Sequence, residues 1–218
     1  MDATSDDESE DIYLLGYYTT YACNSYSYPD CMITKYSKTA DFIYFRGFSI
    51  SGSSNNLCNK VRMSIDRQLY VVGYSQLATN DATLYKIDSQ SGNLQWARKF
   101  DSGYDDFGYG VAIQPDGGVI YITGQFYGVT DNGIPNAFLI KVDDYGTQLY
   151  FRMWGVYSYE EMYAIDLSLM GKYIYMAGGA DTLYDGTEQT DWNAVLLKMR
   201  YDGTWEYGFY EGEPNIHE

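Results

Sequence analysis

Histidine is almost missing from this chain: His217 is the one such residue in 218. Serine–histidine and cysteine–histidine nucleophile–base pairs, and Cys/His zinc sites, all depend on that ring, so these chemistries are all but excluded. Cysteine is scarce as well. Cys23, Cys31 and Cys58 lack the CxxC spacing of a zinc ribbon. They fit either reduced structural thiols or a Cys23–Cys31 disulfide within one loop region. Phosphate-binding signatures are lacking too, since no Gly-Lys-Ser/Thr occurs and no GxGxxG follows a strand.

Basic residues are few, 14 Lys+Arg against 30 Asp+Glu, for a net charge of −16. They are scattered, with no run of three. A nucleic-acid partner is therefore not expected, because phosphate backbones are repelled by such a chain. Apolar runs stay well short of the ~18 residues a membrane helix needs, so no membrane partner is expected either. Residues 1–11 (MDATSDDESED) have neither the charged nor the apolar region of a signal peptide and read as an acidic disordered tail. A complete chain of this kind belongs in the cytoplasm, whereas a fragment of a longer protein is equally compatible with a secreted or cell-surface location.

What the chain has in excess is aromatic residues, 18% of the total, with 26 tyrosines, and these suit strands better than helices. The main signal is self-similarity. Tyr-x-x-Gly recurs as Tyr13–Gly16, Tyr70–Gly73, Tyr121–Gly124 and Tyr175–Gly178, the tyrosines spaced 57, 51 and 54 residues apart. Lysine closes an apolar stretch at Lys35, Lys86, Lys141 and Lys198, spaced 51, 55 and 57. A Gly/Asp turn follows each of the last three lysines, then an aromatic in register: Tyr44, Trp96, Tyr150 and Tyr207. Two residues further on lie Arg46, Arg98 and Arg152, with Phe209 in the fourth copy. The glycine of Tyr-x-x-Gly, at the end of a strand, is expected to permit a bulge or a close backbone approach. The lysine and arginine columns are expected to frame sheet edges or form ion pairs.

Strands of five to seven residues separated by turn signals, with no 3.6-residue period, give an all-β, β-propeller-like fold of four blades, each of four short antiparallel strands. The blades fall at about 12–48, 59–100, 108–154 and 162–210. The first blade lacks its own first strand, which leaves 15 strands and an open edge. Residues 211–218 are a tail or a closing strand, and the ring is either closed, or an arc completed by a partner or a second copy, or part of a larger propeller.

The stretches DDFGYGVAIQPDGGVIYITG (105–124), AFLIKVDDYGT (137–147) and ATLYKIDSQSGNLQW (82–96) resemble the bacterial-type β-propeller repeat called SBBP. The resemblance covers about residues 12–210. It implies a binding scaffold and names no substrate.

Paired acids Asp105–Asp106 and Glu160–Glu161 occupy matching positions. Neighbours on a strand point to opposite faces, so each pair reads as a repeated turn or cap and not as a glycosidase dyad. DSGYDD (101–106) offers oxygen ligands without the glycine and glutamate spacing of an EF-hand. The expectation is thus a non-enzymatic scaffold without cofactor, which binds a protein partner or a second copy through its b–c loops (about 18–30, 75–81, 127–136 and 179–193) or its open edge. The alternative is a carbohydrate- or small-ligand-binding propeller, with hydrolysis as an option, that uses an axial pocket of tyrosines and carboxylates.

Overall fold

A computed structural model describes residues 1–19, 29–127, 135–155, 159–170, 172–181 and 192–210. The Cys23 thiol, His217, the 211–218 segment and most of the b–c loops other than 75–81 lie outside these residues. The first sheet consists of β1 (Asp2–Ser5), β2 (Ile12–Thr19), β3 (Pro29–Tyr36) and β4 (Phe42–Phe48). The second holds β5 (Asn55–Met63), β6 (Gln68–Gln76), β7 (Asn80–Asp88) and β8 (Leu94–Phe100). The third holds β9 (Asp106–Ile113), β10 (Val119–Tyr127), β11 (Pro135–Asp143) and β12 (Gln148–Trp154). The fourth holds β13 (Glu160–Leu167), β14 (Tyr173–Asp181), β15 (Trp192–Arg200) and β16 (Trp205–Tyr210). Each sheet is an antiparallel meander in chain order, and no helix occurs among the described residues. The fold is all-β, built of four antiparallel four-stranded sheets, two in each half of the chain.

The alternation of β-branched and aromatic residues with small or polar ones builds these strands, because successive side chains leave on opposite faces. Glycines at positive φ close the turns between third and fourth strands: Gly92 (71°), Gly146 (82°) and Gly203 (85°). Only glycine holds such a backbone without steric cost. In each sheet the register shifts immediately after the repeat lysine, between Lys35 and Tyr36, Lys86 and Ile87, Lys141 and Val142, and Lys198 and Met199. A bulge there twists the outer strand away from the plane.

The first sheet is complete, which corrects the expectation of an acidic disordered tail over 1–11 and of a missing first strand. β1 pairs antiparallel with β2, from Asp2 opposite Leu15 to Ser5 opposite Ile12. Sixteen strands are found among the described residues, not 15. The segment is polar, so its affinity for the sheet comes from charge and not from burial. The Asp2 carboxylate accepts from the Val61 amide at 2.9 Å and pairs with Lys60 and Arg62, each at 3.3 Å. Asp6 pairs with Arg67 at 2.5 Å. Asp6 also accepts from the Glu8 amide at 2.9 Å and so closes the turn between β1 and β2. An acidic start thus docks on basic residues of the second sheet.

The chain divides into two compact units, 1–108 and 109–218. In the first, Tyr13, Leu15 and Ile33 pack against Val61, Leu69, Val71, Tyr85 and Ile87. Burying each aliphatic side chain contributes on the order of 1.5–3 kcal/mol. A Cys31–Cys58 disulfide joins β3 to β5 across this core, with Cα atoms 5.6 Å apart. It replaces both states expected of the cysteines for this pair, reduced thiols and a Cys23–Cys31 bond. In the second unit Tyr121, Ala137 and Leu139 pack against Ile174, Met176, Val195, Leu197 and Met199.

Candidate functional site

The repeat columns converge. Tyr13, Tyr70, Tyr121 and Tyr175 stand directly opposite Lys35, Lys86, Lys141 and Lys198 on the neighbouring strand. Those lysines stand opposite Tyr44, Trp96, Tyr150 and Tyr207 on the next. The lysines therefore lie on the third of four strands and do not frame sheet edges. Their ammonium groups sit over tyrosine rings: Lys35 at 5.3 Å from Tyr13, Lys86 at 5.7 Å from Tyr70, Lys141 at 5.5 Å from Tyr121 and Lys198 at 6.0 Å from Tyr175. Cation–π attraction of this kind, in a partly dry setting, contributes about 1–2 kcal/mol. Arg46, Arg98 and Arg152 cover the outer aromatic in the same way.

In each unit this cluster holds a turn of the sheet that follows it. Tyr13 and Tyr44 both donate to the Ser89 carbonyl, at 3.3 and 2.9 Å. Tyr121 and Lys141 both donate to the Tyr201 carbonyl, at 3.2 Å each. Ser89 and Tyr201 each lie three residues beyond their own repeat lysine. The glycine that follows rests on the outer aromatic: a methyl group on Gly92 falls 2.7 Å from the Tyr44 ring, and one on Gly203 falls 3.2 Å from the Tyr150 ring. The Tyr–Lys–aromatic cluster is thus a socket for the neighbouring sheet's turn. Burial pushes the Tyr44 and Tyr121 hydroxyls well above the ordinary tyrosine range, helped by neighbouring phenols, and keeps them protonated as donors. Lys35 is also bound to Asp11 at 2.9 Å. Burial works against its ammonium, but Asp11 and Tyr13 more than offset this, and its pKa lies above the usual lysine value.

Two of the Tyr-x-x-Gly glycines, Gly73 and Gly178, face the first strand of their own sheet. Cβ atoms built on Gly73 and Gly178 fall 2.0 Å from the Leu57 carbonyl oxygen and 1.8 Å from that of Glu161. The adjacent first strands bulge at that level, between Cys58 and Lys60 and between Met162 and Ala164. Both bulge and close approach are present, although the strands run on past each glycine to Gln76 and Asp181. Gly16 faces the Met32 side chain, and Gly124 lies opposite Phe138.

Of the paired acids, Asp106 caps a loop, and Asn56 holds the corresponding loop of the second sheet. Asp106 accepts from the Ser102 amide and hydroxyl, each at 2.7 Å, and Asn56 accepts from the Ile50 amide and the Ser53 hydroxyl. Asp81, Asp101 and Asp106 bring carboxylate oxygens within 4.8 Å of one another, and the Lys99 ammonium lies 3.0 Å from both Asp81 and Asp101. Burial raises the Asp81 pKa in spite of Lys99. On β9 and β13 the Tyr109 and Tyr163 rings lie 5.5 Å apart, and the Tyr163 hydroxyl donates to Glu161. Burial, together with Glu161, holds Tyr163 at about 12.

Some repeat positions of the first and fourth sheets are more exposed than their counterparts in the other sheets. Leu69 and Val71 of β6 are fully buried, whereas Ile12 and Leu14, the same repeat positions on β2, are 39% and 41% exposed. Ile33, Leu84 and Leu139 are fully buried, whereas Leu196 is 39% exposed. Tyr44 is 6% exposed, Tyr207 42%. Exposed apolar side chains thus stand at Ile12, Leu14, Leu196 and Tyr207, and β1 occupies the place in the first sheet where an open edge was expected. These positions were not legible from composition, because they hold the same residue types as the core.

No protein-family model matches the chain, and no curated protein matches it. Among solved structures it is similar to a chain of Drosophila Plexin A in complex with Semaphorin 1b, with 9% identity and a TM-score of 0.38. The match covers 87% of this chain and 53% of that one, so the chain spans about half the length of the structure it resembles, and at this level of similarity it carries no inference about activity.

Proposed function

We propose that the protein is a non-enzymatic interaction scaffold that presents the outward faces of its first and fourth sheets to a protein partner. One observation carries this reading: repeat positions that are fully buried between sheets are about two-fifths exposed on those two faces. Exposed apolar side chains at repeat positions favour association where they cluster. The experiment is capture of partners from the source cells by the wild-type chain and by Leu14→Glu and Leu196→Glu variants. A partner retained by wild type and lost from a variant supports the reading, and identical capture by all three overturns it. The SBBP-like repeat is in keeping with a scaffold. The Cys31–Cys58 bond favours an oxidising compartment, secreted or on the cell surface, over the cytoplasm.

A second reading rests on the Tyr109–Tyr163 pair beside Glu161. Tyrosine faces next to a carboxylate suit a sugar ring. Calorimetry with a panel of oligosaccharides tests it: binding abolished by Tyr163→Ala supports it, and no binding to any of them removes it.

A further inference from the structure

We infer that the partner of these faces is a second copy of the chain, joined head to tail: the first sheet of one copy covers the fourth sheet of the other. This rests on the scaffold reading and names its partner. Within each unit, the Tyr–Lys–aromatic face of one sheet packs on the opposite face of the next and receives that sheet's turn. The fourth sheet carries such a face, with Tyr175, Leu196, Lys198 and Tyr207 in the places of Tyr13, Ile33, Lys35 and Tyr44. The first sheet carries the complementary face, with Ile12 and Leu14 in the places of Leu69 and Val71. Ile12, Leu14, Leu196 and Tyr207 are each about two-fifths exposed in the single chain.

The turn that fits the empty socket is Ser37–Asp41. Its hydrogen bonds, Ser37 N to Asp41 O at 2.9 Å and Ala40 N to Ser37 O at 2.9 Å, match those of the seated turn at Arg200–Thr204 (2.8 and 2.9 Å). The Lys38 carbonyl then takes the place of Ser89 and Tyr201. Ala40, at φ 64°, takes the place of Gly92 and Gly203 and is exposed. A methyl group at that place needs room: on Gly92 it falls 2.6 Å from Arg46 Cγ. Arginine occupies this column at 46, 98 and 152, but position 209 is phenylalanine. The one turn with alanine and the one socket without arginine are therefore the two unmatched halves. Because the two halves differ, the contact is heterologous, and it joins copies in a directional manner.

Sedimentation of the purified full chain tests this. Wild type is expected to self-associate at tens of micromolar, while Leu14→Glu and Leu196→Glu each sediment as the 24.9 kDa monomer. Each variant keeps one intact half, so an equimolar mixture is expected to form a 1:1 complex. Ala40→Asn, on an exposed turn whose positive φ asparagine tolerates, guards against misfolding of the others and is expected to weaken self-association at least tenfold. A wild-type monomer at all concentrations overturns the inference, and so does a mixture that stays monomeric while wild type dimerises. A wild-type monomer that still captures a partner in a variant-sensitive way overturns only the second copy, and loss of both overturns the scaffold reading as well.

Discussion

Removing the disulfide, as Cys31→Ala/Cys58→Ala, is expected to destabilise the 1–108 unit selectively. The bond closes a segment with a sequence separation of 27. Loop-closure entropy for a loop of that length corresponds to about 3.5 kcal/mol at 25 °C, a large part of a small domain's stability. With a urea m-value of about 1.2 kcal/mol/M, the unfolding midpoint falls by about 3 M. Hydrogen exchange measured by mass spectrometry along a urea series reads the unit directly, since peptides from 1–108 and from 109–218 are separated in the same sample. The first set is expected to lose protection about 3 M earlier in the variant, and wild type in reductant is expected to follow the variant. A midpoint for the first set that moves by less than about 0.3 M refutes the reasoning. So does a non-reduced peptide map that shows Cys23 joined to Cys31.

Asp11→Asn leaves the Lys35 ammonium buried with its best counter-charge gone and is expected to cost about 2 kcal/mol at pH 7. The hydrogen bond from Lys35 holds the Asp11 carboxyl below the usual carboxylate value, so its contribution is complete above about pH 4 and lost as pH falls through the depressed pKa. Thermal melts of both proteins should therefore converge at pH 2, and a gap that persists there contradicts the pairing. Gly73→Ala and Gly178→Ala drive a methyl group into the Leu57 and Glu161 carbonyls, which cannot swing aside as a side-chain end does. Each is expected to cost more than ~2 kcal/mol in denaturant titrations, whereas Gly103→Ala, with open space around it and strained only by its φ of 90°, costs about 1 kcal/mol.

The four sheets were legible in the sequence because Tyr-x-x-Gly and the lysine column report a strict local rule: the tyrosine, the lysine and the outer aromatic are cross-strand neighbours within one hairpin meander. What they do together was not legible. The socket needs Ser89 to meet Tyr13 from 76 residues away, and one repeat unit alone carries no record of which sheet follows. β1 was missed for a related reason. DATS has no hydrophobic alternation, and its anchors Lys60, Arg62 and Arg67 lie in another repeat. The cysteine pairing depended on which strands face each other, and Cys31 and Cys58 lie in different sheets. Glycines 73 and 178 sit where a carbonyl of the adjacent strand leaves no room for a side chain.

The measurement that bears most directly on the socket is a double-mutant cycle between Tyr44→Ala and Gly92→Ala, followed by urea unfolding. If the Gly92 turn rests on the Tyr44 ring, removal of the ring relieves the clash that the new methyl group creates. The two changes are then non-additive, with a coupling of at least about 1 kcal/mol. Costs that add within about 0.3 kcal/mol would contradict the contact, and with it the view that these columns exist to hold one sheet to the next.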